Sequence, residues 1–72
     1  MIRYIYILGY EGTDGKYTLC KVDIDYDRIL RYGCKESNRH PERRYVISRQ
    51  SIKHNSKISL YARIYPSETY MN

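Results

Sequence analysis

The chain has 72 residues and a net charge of +5, with 42% hydrophobic residues and only two cysteines. That length allows one small domain of marginal stability, and the apolar content is too high for a disordered chain. It excludes a large enclosed catalytic cleft, and a chain this small often depends on a staple or on a second copy of itself.

The positive charge is unevenly placed. Residues 1–27 carry a net of −2, whereas residues 28–57 carry +7. A basic block of this kind steers phosphate backbones or acidic partners toward itself, or serves only as a solvated face. The aromatic residues are ten Tyr with no Phe and no Trp. Ten phenol hydroxyls are hard to satisfy inside so small a core, so several rings are expected at the surface, where Tyr favours binding. Codon bias in an AT-rich genome is the alternative source of the same usage.

Met1 to Tyr10 has apolar groups on both faces of a strand, which places it centrally in a sheet. Glu11 to Gly15 reads as a hairpin loop. The returning strand, Lys16 to Ile24, changes parity between Leu19 and Val22, and a bulge near Cys20-Lys21 would bring both sets to one face. Asp25 to Gly33 suggests a two-turn helix, with Asp25 as N-cap and Gly33 just past its end; a short strand at Ile29 to Tyr32 is the alternative.

Cys34 to Arg44 has no apolar period and reads as an exposed loop, in which Pro41 holds His40 out of the helical region. Arg44 to Gln50 forms the next strand and Ser51 to Ser56 a turn. Lys57 to Tyr65 then alternates cleanly, with Ile58, Leu60, Ala62 and Ile64 toward the core and Lys57, Ser59, Tyr61, Arg63 and Tyr65 outward. Pro66 ends that strand. The expected fold is α+β and mainly β: a small antiparallel sheet or open barrel of four to five strands with at most one short helix. It is expected to span residues 1–66 as a single domain, with 67–72 as a C-terminal tail.

Four groupings invite chemistry. Cys20 and Cys34 are expected to be free thiols, Cys20 in the core and Cys34 made reactive by its basic neighbours. Cys20, Cys34, His40 and His54 lack the paired spacing of zinc sites, so no metal and no cofactor is expected. Asp23, Asp25 and Asp27 mimic the head of a calcium loop, but Arg28 stands where that loop needs glycine. The strongest grouping is basic and aromatic: Lys35, Arg39, Arg43, Arg44, Tyr45, Arg49, Lys53, Lys57, Tyr61, Arg63 and Tyr65.

Arginine forks grip phosphate and carboxylate, and tyrosine rings stack on bases. This points to a non-enzymatic protein whose Arg/Tyr face engages nucleic acid. The alternative is a phage-type or mobile-element accessory protein that uses the same face on an acidic protein surface, to inhibit or redirect a host protein. A homodimer is open. With no apolar run long enough to span a bilayer, no membrane partner is expected, and the expected location is the cytoplasm, that of the host cell if the chain is viral.

Overall fold

The computed structural model describes residues 3–52 and 57–66. In chain order it contains β1 (Tyr4–Glu11), β2 (Tyr17–Asp23), α1 (Tyr26–Arg39), β3 (Arg44–Ser51) and β4 (Ser59–Ile64). The strands form one open antiparallel sheet in the order β2-β1-β3-β4, and α1 lies across one of its faces. The mainly β expectation holds, with four strands.

β1 sits inside the sheet, as its two apolar faces require. Tyr4, Tyr6, Leu8 and Tyr10 point toward the helix side, and Ile5, Ile7 and Gly9 point to the other. Its pairing with β3 is unbroken from Tyr4↔Ser51 to Glu11↔Arg44. The hairpin to β2 closes as expected. The Gly12 N–H donates to the Lys16 carbonyl at 3.0 Å, the Lys16 N–H donates to Asp14 Oδ1 at 3.0 Å, and Gly15 supplies the positive φ of 79°.

The register of β2 slips at Cys20, because Leu8 pairs with Lys21 and Gly9 with Leu19. The bulge puts Leu19 and Val22 on one side, as the parity change predicts. That side is the uncovered one, however, and both residues are more than half exposed. Cys20 is the extra residue and is exposed, which corrects its expected place in the core.

Asp25 caps α1 through its side chain, with the Arg28 N–H donating to Oδ1 at 3.3 Å. The helix then runs for 14 residues, twice the expected length, and includes most of the segment read as an exposed loop. It ends at His40, just before Pro41. Gly33 is therefore a buried interior position and not a cap. A Cβ there would lie 2.5 Å from Ile64 Cδ1 and 3.1 Å from Leu8 Cδ1, so the helix rides close to the sheet. Cys34 and the buried Ser37 continue this face with small side chains. The apolar period is lost in the second half of the helix for this reason.

The core is Leu8, Ile29, Tyr45, Ile47 and Ile64, flanked by Tyr6, Tyr10, Tyr26, Leu30, Cys34 and Ala62. β4 does not keep the alternation read from its sequence. A bulge lies opposite Ile47/Ser48: Ala62 pairs with Ile47, but Leu60 pairs with Ser48. Ala62 and Ile64 face the core as expected. Ile58 and Leu60 are 57% and 53% exposed, against the expectation that both are buried. Tyr61, expected outward, is turned to the helix side against Tyr6 and Tyr26. The expected turn from Ser51 to Ser56 and the expected C-terminal tail lie largely or wholly outside the described residues.

A candidate basic site at one end of the sheet

At the end of the sheet where β3 begins and β4 finishes, a shallow hollow of about 370 Å³ is lined by Arg43, Arg44, Tyr45, Arg63 and Tyr65, with Val46, Ile64 and two prolines between them. Five residues singled out in the sequence meet here. Local structure explains their convergence. Val46 pairs with Arg63 across β3 and β4, which puts Arg44 on the diagonal from Arg63 on the same face. Arg43 lies on the connection entering β3 and reaches the rim from the helix side. Its guanidinium stacks over the Tyr10 ring at 4.3 Å and donates to the Tyr45 hydroxyl at 3.0 Å.

These contacts fix the Arg43 charge in place. Tyr45 is only 1% exposed, and burial raises its pKa, partly opposed by the Arg43 hydrogen bond. Tyr45 therefore positions Arg43 and offers no free ring face. Tyr65, by contrast, is 72% exposed beside Arg63. The acids nearby are few. Glu11 lies 3.6 Å from Arg44, and Glu42 lies 4.0 Å from Arg43. Arg63 makes no ion pair among the described residues. Arg43, Arg44 and Arg63 line one hollow, Arg43 from the helix side and Arg44 and Arg63 from the opposite face of the sheet, and an arginine such as Arg63 with no ion pair among the described residues attracts an anion.

A second basic feature runs along the solvent side of α1. Arg28, Arg31, Tyr32, Lys35 and Arg39 recur at helical spacing and all are exposed. Asp23 holds Arg28 at 2.8 Å and Glu36 holds Arg39 at 3.3 Å, while Arg31 and Lys35 make no ion pair among the described residues. Lys21 of β2 sits over the Tyr32 ring at 4.8 Å. Only Lys35 and Arg39 of this stripe stand out in the sequence; the spacing of Arg28 and Arg31 becomes meaningful once the helix is known to reach Arg39.

The remaining residues of the expected face go elsewhere. Arg49 is on the helix side, far along β3 from the hollow. Its guanidinium lies between the rings of Tyr4 and Tyr61, at 4.2 and 4.4 Å. Tyr6, Tyr26 and Tyr61 form a mutual ring cluster beside it, with centroids 5.1 to 5.7 Å apart. Lys57 is exposed just before β4, and Lys53 lies outside the described residues. The described members of the expected set are thus spread over the hollow, the helix and the opposite end of the sheet.

The other groupings have structural explanations. Asp23 accepts from Arg28, whose hydrogen bond holds its carboxyl below the usual range, and Asp25 caps the helix. Both cysteines are free thiols, and burial pushes the Cys34 thiol up, opposite to the activation expected from basic neighbours. Among the described residues no group of His, Cys, Asp and Glu could hold a metal ion, and no helix is long and apolar enough to cross a membrane. Compared with protein-family models, curated proteins and solved structures, the chain matches none.

Proposed function

We propose that the chain is a non-enzymatic binding protein whose arginine hollow engages nucleic acid. The observation that supports this reading is that Arg44 and Arg63 share one face of the sheet at the hollow, with Arg43 reaching its rim, beside the open ring of Tyr65. Guanidinium groups would meet successive phosphates, and the exposed phenol would stack on a base. The stripe of Arg31, Lys35 and Arg39 adds long-range attraction along the helix. An acidic protein surface is the second reading. It is favoured by Val46, Ile64 and Pro66, which give the hollow apolar ground as well as charge. In that case the protein would act as an accessory factor that inhibits or redirects a larger protein.

The test is a gel-retardation assay at low salt, with single- and double-stranded oligonucleotides and the Arg43→Glu/Arg63→Glu variant. Loss of two phosphate contacts with reversal of both charges predicts an affinity at least about 100-fold weaker. Circular dichroism should show the fold retained. Absence of any shift with the unmodified protein, or equal affinity for the variant, would overturn the reading. Pulldown with and without nuclease separates the two partners: a protein retained after nuclease treatment supports the second.

A further inference from the structure

At the other end of the sheet, where β3 finishes and β4 begins, one arginine is held in a different way. Arg49 stands between Tyr6 of β1 and Ser59 of β4 in the cross-strand register, so these three side chains share the helix side. Its guanidinium carbon lies 4.2 Å from the centre of the Tyr4 ring and 4.4 Å from that of the Tyr61 ring. Those rings come from the strands on either side of β3, so both flat faces of the guanidinium are occupied. Tyr61 reaches this place because it is the extra residue of the β4 bulge, between Ala62 opposite Ile47 and Leu60 opposite Ser48. Bulges re-aim single side chains in this way. Tyr26 of α1 meets Tyr61 edge-on at 5.1 Å and backs the stack.

Stacking fixes the group without neutralising it, because the rings attract a cation through their faces but carry no net charge. Arg49 is half-buried and makes no ion pair among the described residues. The acid in its cross-strand row, Asp23 opposite Tyr6, is held by Arg28 at 2.8 Å. What is left for a ligand is the in-plane N–H edge, already oriented by the two rings. Ser59 sets a hydroxyl directly across from it. Lys57, shortly before Ser59 in the chain, is exposed and also makes no ion pair among the described residues. We propose that Arg49, Ser59 and Lys57 form a phosphate site: a fork, a hydroxyl donor and a second cation. A phosphate monoester, free or at the end of a nucleic-acid strand, carries close to two negative charges near neutral pH and matches this pair of cations. A carboxylate carries only one. The site shares no residue with the arginine hollow and does not rest on the reading of that hollow.

Side-chain NMR of the arginine Nε–H groups in the full chain tests it, with inorganic phosphate, acetate, and one oligonucleotide with and without a terminal phosphate. The expected result is a saturating shift of the Arg49 signal, with a Kd of about 1 mM for phosphate and binding at least about tenfold weaker for acetate. If strand ends are the source, the terminally phosphorylated oligonucleotide moves the Arg49 signal at lower concentration than its unphosphorylated counterpart; a response to inorganic phosphate alone identifies the free ion. Arg49→Lys keeps the charge but loses the fork and the stack, and should weaken phosphate binding by at least about tenfold, read at the Ser59 backbone amide. Tyr61→Leu releases one face of the guanidinium and should weaken it by about threefold or more. Arg43→Glu/Arg63→Glu should leave the Arg49 response unchanged, which separates this site from the hollow. Backbone amide spectra show that each variant stays folded. An Arg49 signal that phosphate does not move at about 50 mM, an equal response to acetate, or undiminished binding in Arg49→Lys overturns the proposal. Full affinity in Tyr61→Leu overturns the part assigned to the rings.

Discussion

The two faces of the sheet use similar side chains for opposite ends. On the helix side, Leu8 and Ile47 are 0% exposed and close a core with Ile29. On the other side, Leu19 and Leu60 are 59% and 53% exposed on strands of the same sheet. Apolar composition alone does not decide burial here. The two bulges decide it, by moving part of each edge strand's apolar set to the face the helix does not cover. One helix shields one face, so a chain this short keeps a core of five among the described residues and leaves Leu19, Val22 and Leu60 exposed on the other.

Alanine at each face would break or sharpen this contrast. Ile47→Ala removes a fully buried side chain and should cost about 2–5 kcal/mol in urea unfolding. Leu19→Ala, on the exposed face, should stay within about 0.5 kcal/mol. Equal losses would mean the open face is packed within the monomer. Gly33→Val comes next. Its added methyls meet Ile64 and Leu8 at the closest approach of helix and sheet, with an expected loss of about 1–3 kcal/mol. An unchanged midpoint would show that the helix can lift without penalty.

The helix ends give smaller effects. Asp25→Ala leaves the Arg28 N–H without its acceptor and should cost about 1 kcal/mol, readable as a lower urea midpoint with the same slope. Ser37 has a buried hydroxyl with no hydrogen-bond partner among the described residues. Ser37→Ala should therefore be neutral or stabilising by up to about 1 kcal/mol, and a clear loss would reveal a partner for that hydroxyl.

The smallest effect is in acid. The Arg28 hydrogen bond depresses the folded-state pKa of Asp23. The stability this carboxylate contributes is present above its unfolded value, about pH 4, and is lost as pH falls through the lower folded value. Asp23→Asn should then show a smaller drop in Tm between about pH 6 and pH 3 than the unmodified chain does. Parallel curves would disconnect Asp23 from the acid response.

Much of this architecture is legible in the residues. The central place of β1, the Gly12–Gly15 turn, the Asp25 cap and the slip near Cys20 each follow from a local rule. The second half of α1 does not, because it packs through small residues, Gly33, Cys34 and Ser37, of which Gly33 has no room for a side chain, and their pattern carries no apolar period. The bulge in β4 is also silent. Residues 58–64 alternate as a regular strand would, and only pairing with β3 shows that Tyr61 and Leu60 exchange their expected sides. The hollow was partly readable, since Arg43, Arg44 and Arg63 flank strand ends. The turn of Tyr45 into the core, where it holds Arg43, depends on which face the helix occupies.

The claim that the arginine hollow is an anion-binding surface is tested most directly by the salt dependence of oligonucleotide affinity. Each phosphate met contributes a slope of about −0.7 for single strands on a log–log plot. Three phosphates met at the hollow give a slope of about −2 or steeper for the intact chain, made shallower by about 0.7 in Arg63→Ala. Affinity that does not change with salt, or a slope that Arg63→Ala leaves untouched, would contradict it.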